Sequence, residues 1–159
     1  MPIIAVSTQI NAAPEVCFDL ARSVEAHLAS TMGTDERAVA GVTSGLLRLG
    51  DQVTWRARHL GVVQHLSSRI TAFERPRHFR DEMVQGAFAR LAHDHYFEPV
   101  ASGTLMRDVL DYASPWRLLG RVVDAVYLKA YLGRFLAGRA LALKQLAETG
   151  RAEAFLNAG

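Results

Sequence analysis

Between Glu36 and Ala113 apolar residues alternate with a period of two, and beyond Asp124 they recur every three or four. This switch constrains the fold more than any other feature of the chain. The first region breaks into runs at 37–42, 51–60, 62–73, 78–84, 88–98 and 104–113. They are separated by Gly45, Gly50, Gly61, the Arg75-Pro76 turn, Gly86 and a 99–103 loop. Six strands joined by such short turns predict an antiparallel meander. The second region, 124–148, contains no proline and only two glycines, and carries Leu128, Leu132, Phe135, Leu136, Leu143 and Leu146. A helix of that length is roughly 37 Å long, the span of ~11 strand residues, so one rod can cross the whole sheet.

Upstream, the β-branched run Ile3–Ile10 reads as a further strand that stops at Asn11-Ala12-Ala13-Pro14-Glu15. Pro14 suits the first position of a helix and Glu15 the positive end of its dipole. Val16, Leu20 and Val24 then recur every four residues beside Phe18 and Ala21, until the small and polar run 29–33 ends or bends the helix. The predicted class is α+β: about seven antiparallel strands, two short helices after the first strand, and a long C-terminal helix. The patternless tail 149–159 is expected to fray.

A chain of 159 residues that is 50% hydrophobic fits one domain, 1–159, with a substantial core. Its 18 basic and 16 acidic side chains are scattered, without the basic blocks of nucleic-acid binders. Cys17 is the single cysteine, which excludes an intramolecular disulfide and any zinc site built on several thiolates. No secretory signal and no apolar run of ~18 residues is present, so a soluble, cytoplasmic protein without integral membrane association is expected. A homodimer is compatible with the sequence.

The stretch GAFARLAHDHYFEP, 86–99, places two histidines one residue apart in a strand, so both imidazoles share a face while Asp94 takes the other. The parity with Leu91, His93, His95 and Phe97 is the more apolar and should be covered. The same test turns Met106, Asp108, Leu110 and Tyr112 inward on the next strand, and Trp55, His59, Phe79 and Asp81 inward on earlier ones. For the run 62–73 both parities are mixed. If 100–103 is a four-residue hairpin loop, Phe97 faces Met106, His95 faces Asp108 and His93 faces Leu110, near enough for an imidazole–carboxylate hydrogen bond. A slip of one residue would turn Asp108 to the other face.

The segments INAAPEVCFDL, LGDQVTWRARHLGV, FERPRHFRDEMVQGAFARLAHDHYFE, GTLMRDVLDYASP and GRALALKQLA, in this order over roughly residues 3–148, resemble the SRPBCC or START-like superfamily, in its polyketide cyclase/dehydrase and lipid-transport group. The resemblance implies a helix-grip fold, with a strongly curved sheet wrapped around the C-terminal helix and an elongated cavity between them. Members include lipid, hormone and isoprenoid binders and aromatase/cyclases, and the fold does not choose among them.

Three uses of the inward groups follow. A catalytic zinc needs a third ligand beside His93 and His95; His59, Asp81 and Asp108 each qualify, no motif selects one, and the sequence reading assigns no metal and no cofactor. Acid–base catalysis of a cyclisation or dehydration is open to His95 oriented by Asp108. Binding of a hydrophobic small molecule with polar groups would draw on Trp55, His59, Asp81, His93, His95, Phe97, Met106, Asp108, Leu110 and Tyr112. This last use is the principal expectation, with a cyclase/dehydratase and a regulatory protein-interaction module as alternatives. The basic residues Lys129, Arg134, Arg139 and Lys144 read as the solvated edge of the long helix.

Overall fold

The computed structural model describes residues 2–59, 61–114 and 127–157. In chain order these form β1 (Ile3–Ile10), α1 (Pro14–Ala21), α2 (Val24–Ser30), a 3-10 turn (Met32–Thr34), β2 (Arg37–Gly41), β3 (Gln52–His59), β4 (Val62–Glu74), β5 (His78–Gln85), β6 (Arg90–Val100), β7 (Gly103–Ala113), α3 (Lys129–Glu148) and α4 (Ala152–Leu156). The strands make one curved antiparallel sheet in the order β1-β7-β6-β5-β4-β3-β2. The six later strands follow one another as a meander, and β1 joins the far edge by pairing with β7, Ile3 opposite Asp111 and Ile10 opposite Thr104. Gly103 permits that approach: its φ is +133°, and a Cβ there would lie 2.2 Å from the Ile10 carbonyl oxygen.

Local chemistry fixes the helix pair. Pro14 occupies the first turn of α1 with Glu15 beside it. Ser23 caps α2, its Oγ accepting from the Ala26 N–H at 3.2 Å and donating to the Phe155 carbonyl at 3.1 Å. That second bond ties α4 to the body, and Ala152 is buried, so the tail expected to fray is instead a short docked helix. Its apolar pair Phe155 and Leu156 was too short a signal to show a period.

Register follows the sequence reading, with Phe97 opposite Met106, His95 opposite Asp108 and His93 opposite Leu110. The hairpin loop is tighter than expected, because Val100 pairs with Gly103 and only Ala101 and Ser102 remain in the turn. Both strands gain one residue, so the register is unchanged. Pro99 lies past the last β5–β6 pair, His78 with Tyr96, where β6 has outrun one neighbour. Phe88 falls before β6, in a bend between β5 and β6, not in the strand. In β4 the pairing with β5 shifts between Ser67 and Ser68 and again between Ile70 and Ala72. Only the second shift puts its extra residue, Thr71, in β4 and exchanges that strand's faces; before it the cavity face carries the polar Gln64 and Ser68 beside Leu66, which is why 62–73 shows no consistent parity.

α3 presents Leu136, Ala140 and Leu143 to the interior at spacings of four and three. The stretch 124–126 of the expected helix lies outside the described residues. Around α1, Phe18 meets Phe73, Phe79 and Phe97 edge-on at ring separations of 5.2, 5.3 and 5.5 Å. A second packed group combines Ile4, Leu91, Leu110, Tyr112 and Leu136. Between these two groups the interior is not filled.

Candidate site between the sheet and the C-terminal helix

A cavity of about 290 Å³ separates the concave sheet from α3. Its apolar wall includes Trp55, Leu66, Leu91 and Leu110 from the strands and Leu132 and Phe135 from the helix. Its polar wall is formed by His27, Glu36, Asp81, His93 and Arg139, with His59 and Tyr131 at another point. Of the ten residues assigned to ligand binding from the sequence, five line it: Trp55, His59, Asp81, His93 and Leu110. The others do not. Phe97 and Met106, each 1% exposed, pack in the core around Phe18, and Tyr112 is fully buried beside Ile4 and Leu91. His95 lies one layer behind the wall, in a smaller recess that it shares with Asp81 and Arg139. Asp108 lies deeper still, near Met106 and Leu143.

The register that opposes β5, β6 and β7 gathers two histidines between two carboxylates. His95 Nδ1 donates to Asp108 Oδ1 at 2.6 Å, and its Nε2 donates to Asp81 Oδ2 at 3.1 Å. Carboxylates accept only, so both ring nitrogens carry protons and His95 is an imidazolium. Burial would lower its pKa, but the bonds to Asp108 and Asp81 outweigh it and lift the value to about 9. The ring stacks on Phe79, its directly opposed neighbour, at 4.3 Å, while His93 lies at 3.8 Å on centroids. Asp108 resists the upward push of burial because both imidazoles face it, and its carboxyl stays far below the usual range. Asp81 is held down mainly by the hydrogen bond from His95, again against burial.

His93 differs. Its Nε2 stands 3.4 Å from Asp108 Oδ1 without hydrogen-bond alignment, and its Nδ1 stands 3.9 Å from Asp81 Oδ2. Burial, reinforced by the charge on His95, keeps its pKa below the ordinary value. It is the neutral imidazole that faces the cavity.

A second polar chain was missed in the sequence. Arg139 Nη2 donates to His27 Nδ1 at 2.9 Å, so the neutral His27 must carry its proton on Nε2, which donates to Glu36 Oε1 at 3.1 Å. Burial and the adjacent guanidinium hold His27 below its ordinary pKa. Burial opposes ionisation of Glu36, but the contact with His27 and the nearby Arg139 bring it to about 2. Trp55 stacks on His27 at 4.0 Å with a 17° tilt, locking the imidazole. Arg139 is thus not part of the solvated edge of α3. It falls three residues after Leu136 and four before Leu143, on the helix's inward stripe, and that spacing was the available signal. His59 Nδ1 and the Tyr131 hydroxyl meet at 2.7 Å, linking β3 to α3.

No protein-family model matches the chain, and no curated protein matches it by sequence. Solved structures do match. A START superfamily protein from Mycobacterium smegmatis superposes with a TM-score of 0.69 at 16% identity, covering 96% of this chain and 97% of that one. TTHA0849 from Thermus thermophilus gives 0.70 at 18%, covering 89% and 97%, and Ara h 8.0201 gives 0.62 at 13%, covering 96% and 98%. At these identities the likeness is one of fold. With the seven-stranded curved sheet, the paired short helices and the C-terminal rod in place, the chain has the START-like helix-grip fold.

Proposed function

We propose that this protein binds a hydrophobic small molecule bearing oxygen or nitrogen groups, of lipid, isoprenoid or polyketide type, between the sheet and α3. One observation carries the reading: a cavity of about 290 Å³ whose apolar wall faces a wall of ionisable groups. Left dry, an apolar void of that size would cost about 7 kcal/mol at ~24 cal/mol per Å³. That is comparable to the ~5–15 kcal/mol stability of a whole domain. Water can satisfy the polar side, and the apolar side favours a ligand that displaces it. The single buried, free cysteine supports a reducing, cytoplasmic setting. An enzymatic use of His95 and Asp108 would require a substrate to reach past Asp81 and His93.

Native mass spectrometry of the purified chain, followed by thermal shift with fatty acids, isoprenoids and polyphenols, tests the proposal. A retained or added apolar ligand that raises Tm supports it. The absence of both a retained mass and any shift across the panel overturns it.

A further inference from the structure

The third metal ligand that the sequence could not select is supplied by the sheet. Asp81 sits directly opposite His93 in the β5–β6 pair, and His95 lies two residues along on the same face. Asp81 Oδ2 is 3.1 Å from His95 Nε2 and 3.9 Å from His93 Nδ1, and one ligand atom from each of the three residues lies within 4.8 Å of the others. Zinc ligands ~2.0–2.1 Å from the metal at tetrahedral angles stand roughly 3.3 Å apart, so these separations bracket what a single ion requires.

Two further observations favour an ion at this point. First, Asp108 Oδ1 lies behind both rings, 2.6 Å from His95 Nδ1 and 3.4 Å from His93 Nε2. A carboxylate on the far nitrogen is the usual outer support of a metal-bound imidazole, since it orients the ring and aims the other nitrogen's lone pair at the metal. Here one carboxylate supports two rings. Second, His93 is 6% exposed and borders the cavity, with its Nε2 toward Asp108 and its Nδ1 toward Asp81 Oδ2 across 3.9 Å, beyond hydrogen-bond reach. An ion between that Nδ1 and Asp81 Oδ2 would bridge two groups that stand too far apart to bond to each other.

We infer that Asp81, His93 and His95 form a site for one divalent transition-metal ion of the zinc type, with Asp108 as its outer support and a fourth position facing the cavity. In the metal-free protein the proton on His95 Nε2 occupies part of this space, and it leaves to solvent when the metal binds. Water or an oxygen atom of a cavity ligand fills the fourth position. The inference goes beyond hydrophobic binding and does not depend on it, because the metal alone is the probe.

The test uses full-length, tag-free protein stripped with a chelator and titrated calorimetrically with Zn²⁺. One ion per chain with micromolar or tighter affinity is expected. Asp81→Asn and His93→Gln should each weaken it at least tenfold, and Asp108→Asn should weaken it about 10- to 100-fold at unchanged stoichiometry. His78→Asn, on the outer face, should leave it unchanged. Zinc X-ray absorption on the loaded wild type provides a check that needs no variant, with two imidazoles and one carboxylate expected among the atoms bound to the ion. No binding at millimolar Zn²⁺, affinity unaltered in both Asp81→Asn and His93→Gln, or a spectrum without two bound imidazoles each overturns the inference. A lipid-binding result in either direction leaves these outcomes unaffected.

Discussion

Asp108 accepts a 2.6 Å hydrogen bond from the Nδ1 of His95, the residue directly opposite it across β6 and β7, and both side chains are buried. The pair is an ionic contact inside the sheet's concave face, with Asp81 on the imidazole's other nitrogen. Replacing Asp108 by Asn keeps the shape and removes the charge. We expect a loss of stability of about 3 kcal/mol, as when one partner of a buried pair is lost. The His95 pKa should fall toward its ordinary value. Urea unfolding and an NMR titration of the imidazole protons measure the two effects, and an unmoved His95 pKa would contradict the assignment.

Stability should depend on pH in a defined direction. The His95 pKa is raised from 6.5 to about 9, so its contribution is full below about pH 6.5, declines above that and is gone near pH 9. His27 and His93 are shifted the other way, so their contribution is present above about pH 6.5 and is lost as the pH falls. Glu36, lowered to about 2, contributes above its ordinary 4.5 and loses that contribution on acidification toward 2. Unfolding free energies measured across this range should therefore peak near neutrality. In His95→Gln the alkaline decline should flatten. Wild-type stability that rises from pH 7 to 9 would refute the imidazolium.

Arg139→Met should expose the dependence of the second chain on one guanidinium. Without it, Glu36 loses a nearby positive charge that favours its ionised form, in a site where its side chain is 8% exposed. A loss of about 2 kcal/mol is expected. The double variant Glu36→Gln/Arg139→Met should recover part of it, because the uncompensated charge is gone. A strictly additive double variant would show that the two residues act independently.

The positions of these groups in the sequence explain which of them could be foreseen. His93, His95 and Asp108 are on strands with clean alternation, joined by a short hairpin, so a period of two fixed both their direction and their pairing. Tyr112, Met106 and Phe97 share that parity, but parity cannot separate a wall from a core. That distinction depends on α1, whose Phe18 fills the space over Phe97, and on the distance at which α3 sits. His27, Glu36 and Arg139 come from a short helix, the chain just before β2 and the long helix. No local period links three such elements, and only the tertiary fold brings them together.

Filling the cavity should separate binding from folding. Leu132→Trp places an indole where the helix borders the void. We expect apolar-ligand affinity to fall at least tenfold while Tm is maintained or rises, since added side-chain volume meets empty space rather than packed atoms. Tm measured by calorimetry beside a ligand titration decides it. Unchanged ligand affinity would place the binding surface elsewhere.

The pairing of β1 with β7 joins the first strand to the last across roughly a hundred residues of intervening chain. During synthesis at ~5–20 residues per second, β1 therefore waits for several seconds before its sheet neighbour β7 leaves the ribosome. Over that interval Ile4 and Ile10 lack their strand partners Leu110 and Thr104. That pairing is the longest-range one in the sheet, and its loop-closure cost makes it one of the slower steps expected in assembly.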